Sequence, residues 1–71
     1  MIARGERDLA DGNIAVARQF LLRAAEAGLA RGALLLAATY DAYELARMGV
    51  RGVQANPSVA RVWYERARAR G

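Results

Sequence analysis

Catalysis near neutral pH needs a nucleophile, or an acid and a base whose pKa values lie near the working range. For that work the chain offers one Ser, one Thr, three Tyr and seven carboxylates, with neither Cys nor His. The densest group is Tyr40-Asp41 with Tyr43 and Glu44. On a continuous helix, Asp41 and Glu44 would share a face as a carboxylate pair. The opposing reading is a solvated helix surface on which Glu44 pairs with Arg47 and Tyr40 packs inward. It is preferred, because only proximity argues for acid/base work. Without Cys and His there are no thiolate nucleophiles, no disulfides and none of the usual zinc ligands. Gly49-x-x-Gly52 lacks the Lys-Ser/Thr that a phosphate loop requires. No catalytic, cofactor-binding or metal-binding residue is expected, and the chain reads as non-enzymatic.

The elements that must position any site are helical. Ala, Leu, Arg and Glu dominate between punctuation marks at Gly5, Gly12-Asn13, Gly28, Gly32, Gly49, Gly52 and Asn56-Pro57. Segment one spans about Ile2 to Ala10 and ends in Asp11-Gly12-Asn13. Segment two, about Ile14 to Ala27, sets Ala17, Phe20, Leu21 and Ala24 on one helix face and is closed by Gly28. Segment three, about Ala30 to Ala42, is apolar nearly all round. Leu34, Leu35 and Leu36 are consecutive there and cannot share a face, so neighbours must wrap it. Segment four, about Ala42 to Met48, continues from it or bends away, and leads into a loop at Gly49 to Val53. Segment five opens with Asn56 as cap and Pro57 in the first helical position. It carries Val59, Ala60, Trp63, Tyr64 and Ala67 along a face to Gly71.

Length and charge narrow the class further. Seventy-one residues allow one compact domain, and 17 of its apolar residues are Ala, so the core is thinly filled. The net charge is +4, and every basic residue is Arg. The excess gathers in the last segment at Arg61, Arg66, Arg68 and Arg70, where a helix macrodipole favours cations without any partner. The alternative is binding of an anionic surface or nucleic acid through that helix, which would need one continuous basic stripe, with Arg18 in line. Nucleic acid is not the expected partner. No apolar run suits a signal peptide or a membrane span, so a soluble chain is expected, and the lack of Cys leaves cytoplasm and periplasm open.

Segments two and five repeat each other. Ala17 and Ala60, Phe20 and Trp63, Arg23 and Arg66, Ala24 and Ala67, and Gly28 and Gly71 are each 43 residues apart. A small residue admits a neighbouring backbone, and the aromatic one turn on fills the space beyond it. Each helix pair has an apolar face it cannot bury alone, so stacking pairs builds the core. The preceding helices align at 32 residues, Gly5 with Ala37 and Asp8 with Tyr40, which leaves 11 extra residues within Ala42 to Ala55.

At these residues the chain resembles the tetratricopeptide-like helical repeats, in particular the Sel-one-like branch. Leu36-Ala37-x-x-Tyr40, the Gly49-Val50 and Gly52-Val53 turns, and Ala60-x-x-Trp63-Tyr64-x-x-Ala67 with Gly71 look like a unit of that branch. Gly5, Gly12-Asn13, Ala17, Leu21 and Ala24 look like a plainer unit. Asp8 stands where the family has an aromatic, Ala37 stands where it has Gly, and the insertion is atypical. The resemblance implies an all-α array of antiparallel helix hairpins in a single domain over 1–71. Unit one would span about 2–28 and unit two about 30–71, with the insertion within 42–55. It also implies a scaffold for a protein or peptide partner, on a concave face carried by Ile2, Glu6 and Leu9 in unit one and by Leu34, Leu35, Ala38 and Asp41 in unit two. Ala17, Phe20, Leu21, Ala24, Leu36, Tyr40, Ala60, Trp63, Tyr64 and Ala67 would pack the repeats together. Two units are fewer than a solenoid ordinarily needs, so a homodimer or flanking repeats are expected. Leu34 and Leu35 would mark the groove or a self-association face if exposed, or be covered by the insertion folding back.

Overall fold

The structure is a computed structural model that describes residues 1–70. These residues form five helices and no strand: α1 (Ile2–Ala10), α2 (Ile14–Glu26), α3 (Ala30–Ala38), α4 (Ala42–Arg47) and α5 (Pro57–Arg70). The all-α class and the helix positions follow the sequence pattern. The pairing of Gly28 with Gly71 lies outside the described residues.

The helices pack in series, α1 on α2, α2 on α3 and α3 on α5, with α4 outside the series. The α1–α2 turn uses Gly12 at φ +80°, and the Asn13 N–H reaches back to the Asp8 carbonyl at 2.7 Å. Gly28, at φ +87°, closes α2, and the Leu29 N–H donates to the Ala24 carbonyl at 3.1 Å. The core centres on Ala17, Leu21 and Leu36, with Leu9, Ala25, Leu35, Tyr40 and Trp63 packed against it. Most of this core is small, so it depends on close backbone approach. At Gly32 a Cβ would sit 2.7 Å from the Ala24 Cβ and 3.0 Å from Ala24 backbone. At Gly5 it would meet the Leu21 side chain at 2.7 Å. The missing side chains set how near α3 and α1 come to α2.

Segment three differs from the expectation of one helix from Ala30 to Ala42. Helix α3 stops at Ala38 because the Thr39 hydroxyl turns back onto the Leu36 carbonyl at 2.6 Å. Asp41 is then extended and caps α4 through its side chain, accepting from the Tyr43 N–H at 2.9 Å. The loop after α4 bends at Gly49 and Gly52 and is fastened where the Asn56 N–H meets the Tyr40 carbonyl at 2.8 Å. Asn56 then caps α5 by accepting from the Val59 N–H at 3.2 Å, with Pro57 first in the helix. The insertion does not fold back over Leu34, which is 46% exposed, whereas Leu35 is half-buried against the core.

Candidate functional site

A groove runs between α5 and the α3–α4 junction. Its larger hollow, about 660 Å³, is lined by Asp41, Ala42, Pro57, Ala60, Arg61, Tyr64, Glu65 and Arg68. A second hollow of about 350 Å³ continues it along α3, lined by Ala30, Arg31, Leu34, Ala67 and again Tyr64 and Arg68. The α5 lining is one helical stripe, since positions 57, 60, 61, 64 and 68 recur with the helix period. Small residues leave its floor shallow, and Tyr64 stands between the two hollows.

The residues expected on a concave face are divided by the fold. Leu34 and Asp41 line the groove. Leu9 of α1 and Leu35 of α3 instead pack against the core, α3 lying between α2 and α5. Ala38 is half-buried and outside the groove. Ile2 is half-buried on α1, and Glu6 pairs with Arg31 of α3 at 3.3 Å, so that unit-one surface adjoins the next helix. Ala60, Tyr64 and Ala67, read as packing residues, serve as groove lining as well. Arg61 and Arg68, expected either as macrodipole cations or as part of a basic stripe, line the groove as well. Their helical spacing from Tyr64 was the available signal.

Asp41 is the polar anchor of the groove. Its Oδ2 accepts from the Tyr64 hydroxyl at 2.8 Å while its Oδ1 holds the start of α4. The Tyr64 hydrogen bond keeps the Asp41 carboxyl below its ordinary range, outweighing partial desolvation, and the N–H groups of Tyr43 and Glu44 add to it. Tyr64 is pushed up to about 12, first by burial and then by its bond to Asp41. Near neutrality Asp41 is therefore ionised, Tyr64 keeps its proton, and neither is poised to exchange one. Glu44 pairs with Arg47 at 2.8 Å, as the solvated-surface reading expects. Tyr40 packs inward and Tyr43 is exposed.

Arg18 supplies the support that sequence reading missed. From α2 its guanidinium reaches the end of α3, donating to the Thr39 carbonyl at 2.5 Å and the Thr39 hydroxyl at 3.2 Å. It also donates to the Gln54 carbonyl at 3.3 Å and lies 3.9 Å from the Tyr40 ring centre. The Thr39 carbonyl is one that a helix end leaves unpaired and the Gln54 carbonyl lies in the loop, so one planar cation ties α2, α3 and the loop together. The other arginines are dispersed. Arg61 pairs with Glu65 at 3.2 Å, Arg66 lies over Trp63, and Arg23 and Arg4 both lie over Phe20. Arg18 is thus built into the fold, away from any stripe on α5.

Among the described residues no group of three or more acidic, His or Cys side chains could hold a metal ion, and no helix is long and apolar enough to cross a membrane. Comparison with known proteins gives no match: no family model, no curated protein and no solved structure aligns significantly with this chain.

Proposed function

We propose that the chain is a non-enzymatic protein–protein interaction module of the tetratricopeptide-like kind, whose groove between α5 and α3–α4 receives a protein or peptide partner. The observation that carries this reading is the groove itself, an apolar hollow rimmed by charged side chains and flanked by the exposed Leu34. The protonation states of Asp41 and Tyr64 support a structural role for its polar anchor over acid/base chemistry. Arg61 and Arg68 share a stripe on α5, but Arg18 is held at the end of α3 and Arg61 is paired with Glu65, which argues for this reading over polyanion binding through α5.

The test places a photo-crosslinking residue at Ala42, on the groove wall, and compares the captured partners with and without Leu34→Glu. Position 34 is exposed, so the fold should survive the change. Specific capture should be lost with Leu34→Glu, and capture that ignores it would sink the proposal. Sedimentation over a concentration series, read with helical circular dichroism, shows whether the captured partner is a second copy.

A further inference from the structure

We infer that α4 is a conditional helix whose folding is set from the groove, with Asp41 as the link and the Tyr64 hydroxyl as the latch. Little else holds α4. It is six residues long, and helices this short are not stable in water alone, because the cost of fixing the first turn is recovered only over many more residues. The other four helices are held by packing along the series from α1 to α5, and α4 stands outside that series. Leu45 is its one buried residue, whereas Tyr43 is 73% exposed and Ala42, Ala46 and Arg47 are exposed with it. The Glu44–Arg47 pair is internal to the helix and faces water, so it contributes little. The loop that follows bends at Gly49 and Gly52, with open space around both glycines.

At the start of the helix one residue does three things. Asp41 Oδ1 caps α4 by accepting from the Tyr43 N–H at 2.9 Å, and its main-chain carbonyl receives the Leu45 N–H, the first bond of the helix, at 2.9 Å. Its Oδ2 accepts from the Tyr64 hydroxyl at 2.8 Å, across to α5 and 23 positions along the chain. While Oδ2 is held, the carboxylate cannot swing into water and Oδ1 stays on the cap. Once Oδ2 is released, the side chain regains its rotamer freedom and the cap weakens. Tyr64 lies between the two hollows of the groove and lines both. An occupant that takes up the Tyr64 hydroxyl or displaces its ring breaks the bond to Oδ2, and the change arrives at α4 as a loss of helix. While Arg18 holds Thr39 and Asn56 holds Tyr40, that loss stops at Asp41. The exposed Tyr43 is then the side chain whose presentation changes. The coupling is a property of the chain itself and acts for any occupant, since it needs only that the ordered and disordered forms of α4 differ in their contact with Tyr64.

Amide hydrogen exchange of the full chain tests the coupling. In the parent protein the N–H groups of Leu45, Met48, Gly49 and Val50, which close α4 and its end, should exchange ahead of those of Leu21 and Ala24 in the sealed part of α2. Tyr64→Phe keeps the ring and removes the latch, and should speed exchange at the four α4 amides about three- to tenfold. The amides of Asp11, Gly12 and Asn13, at the turn between α1 and α2, should be unchanged. Asp41→Ser keeps one capping oxygen and loses the one that meets Tyr64, so α4 stays protected enough to measure. In that background Tyr64→Phe should have no further effect on α4. Exchange of the α4 amides only together with Leu21 and Ala24 would make α4 part of the rigid body and overturn the inference. So would α4 rates that ignore Tyr64→Phe, an equal acceleration at the α1–α2 turn, or a Tyr64→Phe effect that survives Asp41→Ser.

Discussion

Helices α2 and α5 share Val-Ala-Arg and Arg-Ala at matching positions and an aromatic between them, yet they have different surroundings. Helix α2 is held on both flanks, by α1 through Gly5 and by α3 through Gly32, and its central residues are sealed. Helix α5 is held by α3 on one flank, and the groove opens between it and the α3–α4 junction. The difference teaches that a residue type does not set its own energetic weight. The same small-residue face is sealed throughout in α2, whereas in α5 the buried Ala60 and Ala67 form the floor of an open groove.

Paired substitutions can break or sharpen that comparison. The largest contrast is expected between Leu21→Ala and Tyr64→Ala. Emptying the sealed site should cost about 3–4 kcal/mol, enough to leave this small domain largely unfolded, while truncation at the groove should cost about 1 kcal/mol. Urea titrations of the two variants check this, and equal losses would mean that α5 is as enclosed as α2. Next comes Gly32→Ala, where the added methyl meets Ala24 backbone that cannot swing aside, and a loss of about 1–3 kcal/mol is expected. Gly5→Ala meets the Cγ and Cδ2 of the sealed Leu21 and should cost a similar amount in the same titration.

Arg18→Ala should follow at about 1.5–3 kcal/mol, since it strands the Thr39 and Gln54 carbonyls, whereas Arg61→Ala should stay within about 0.5 kcal/mol. A comparable loss at Arg61 would show that its groove is already filled. The smallest effect is pH-dependent. Asp41 is depressed in the folded state, so its contribution is present above the ordinary Asp pKa of 3.8 and disappears as the pH falls through its lowered value. Tyr64 is raised, so its contribution is full below 10.0 and is lost as the pH rises towards about 12. Tyr64→Phe should flatten both edges of a plot of melting temperature against pH, and unchanged edges would remove the hydrogen bond from the account.

The helices were legible because their signals are local: the Ala17, Phe20, Leu21 and Ala24 face, Gly28 at a helix end, and Asn56-Pro57 at a helix start. The break at Thr39 was hidden, because Ala30 to Ala42 is periodic enough for a helix and the competing hydrogen bonds come from Arg18, 21 positions earlier, and from a hydroxyl whose acceptor is visible only once α3 exists. The groove was half legible. Leu34 and Asp41 were placed on a partner face, but their neighbours Leu35 and Ala38 were swept in with them. Which side of α3 lies open depends on where α5 packs, and no local pattern encodes that.

The clasp around Arg18 also bears on how the molecule comes apart. The stretch from Met48 to Asn56 forms no helix, and two hydrogen bonds fasten it, from Arg18 to Gln54 and from Asn56 to Tyr40. The same guanidinium closes the end of α3. Fraying of the loop and loosening of the α3 terminus therefore share the Arg18 fastening, and are expected to occur as one cooperative opening below the energy of global unfolding. The wall of the groove that holds Asp41 and Ala42 lies inside that opening unit, so the rate at which the groove changes shape is governed from its far side, by an arginine that does not line it.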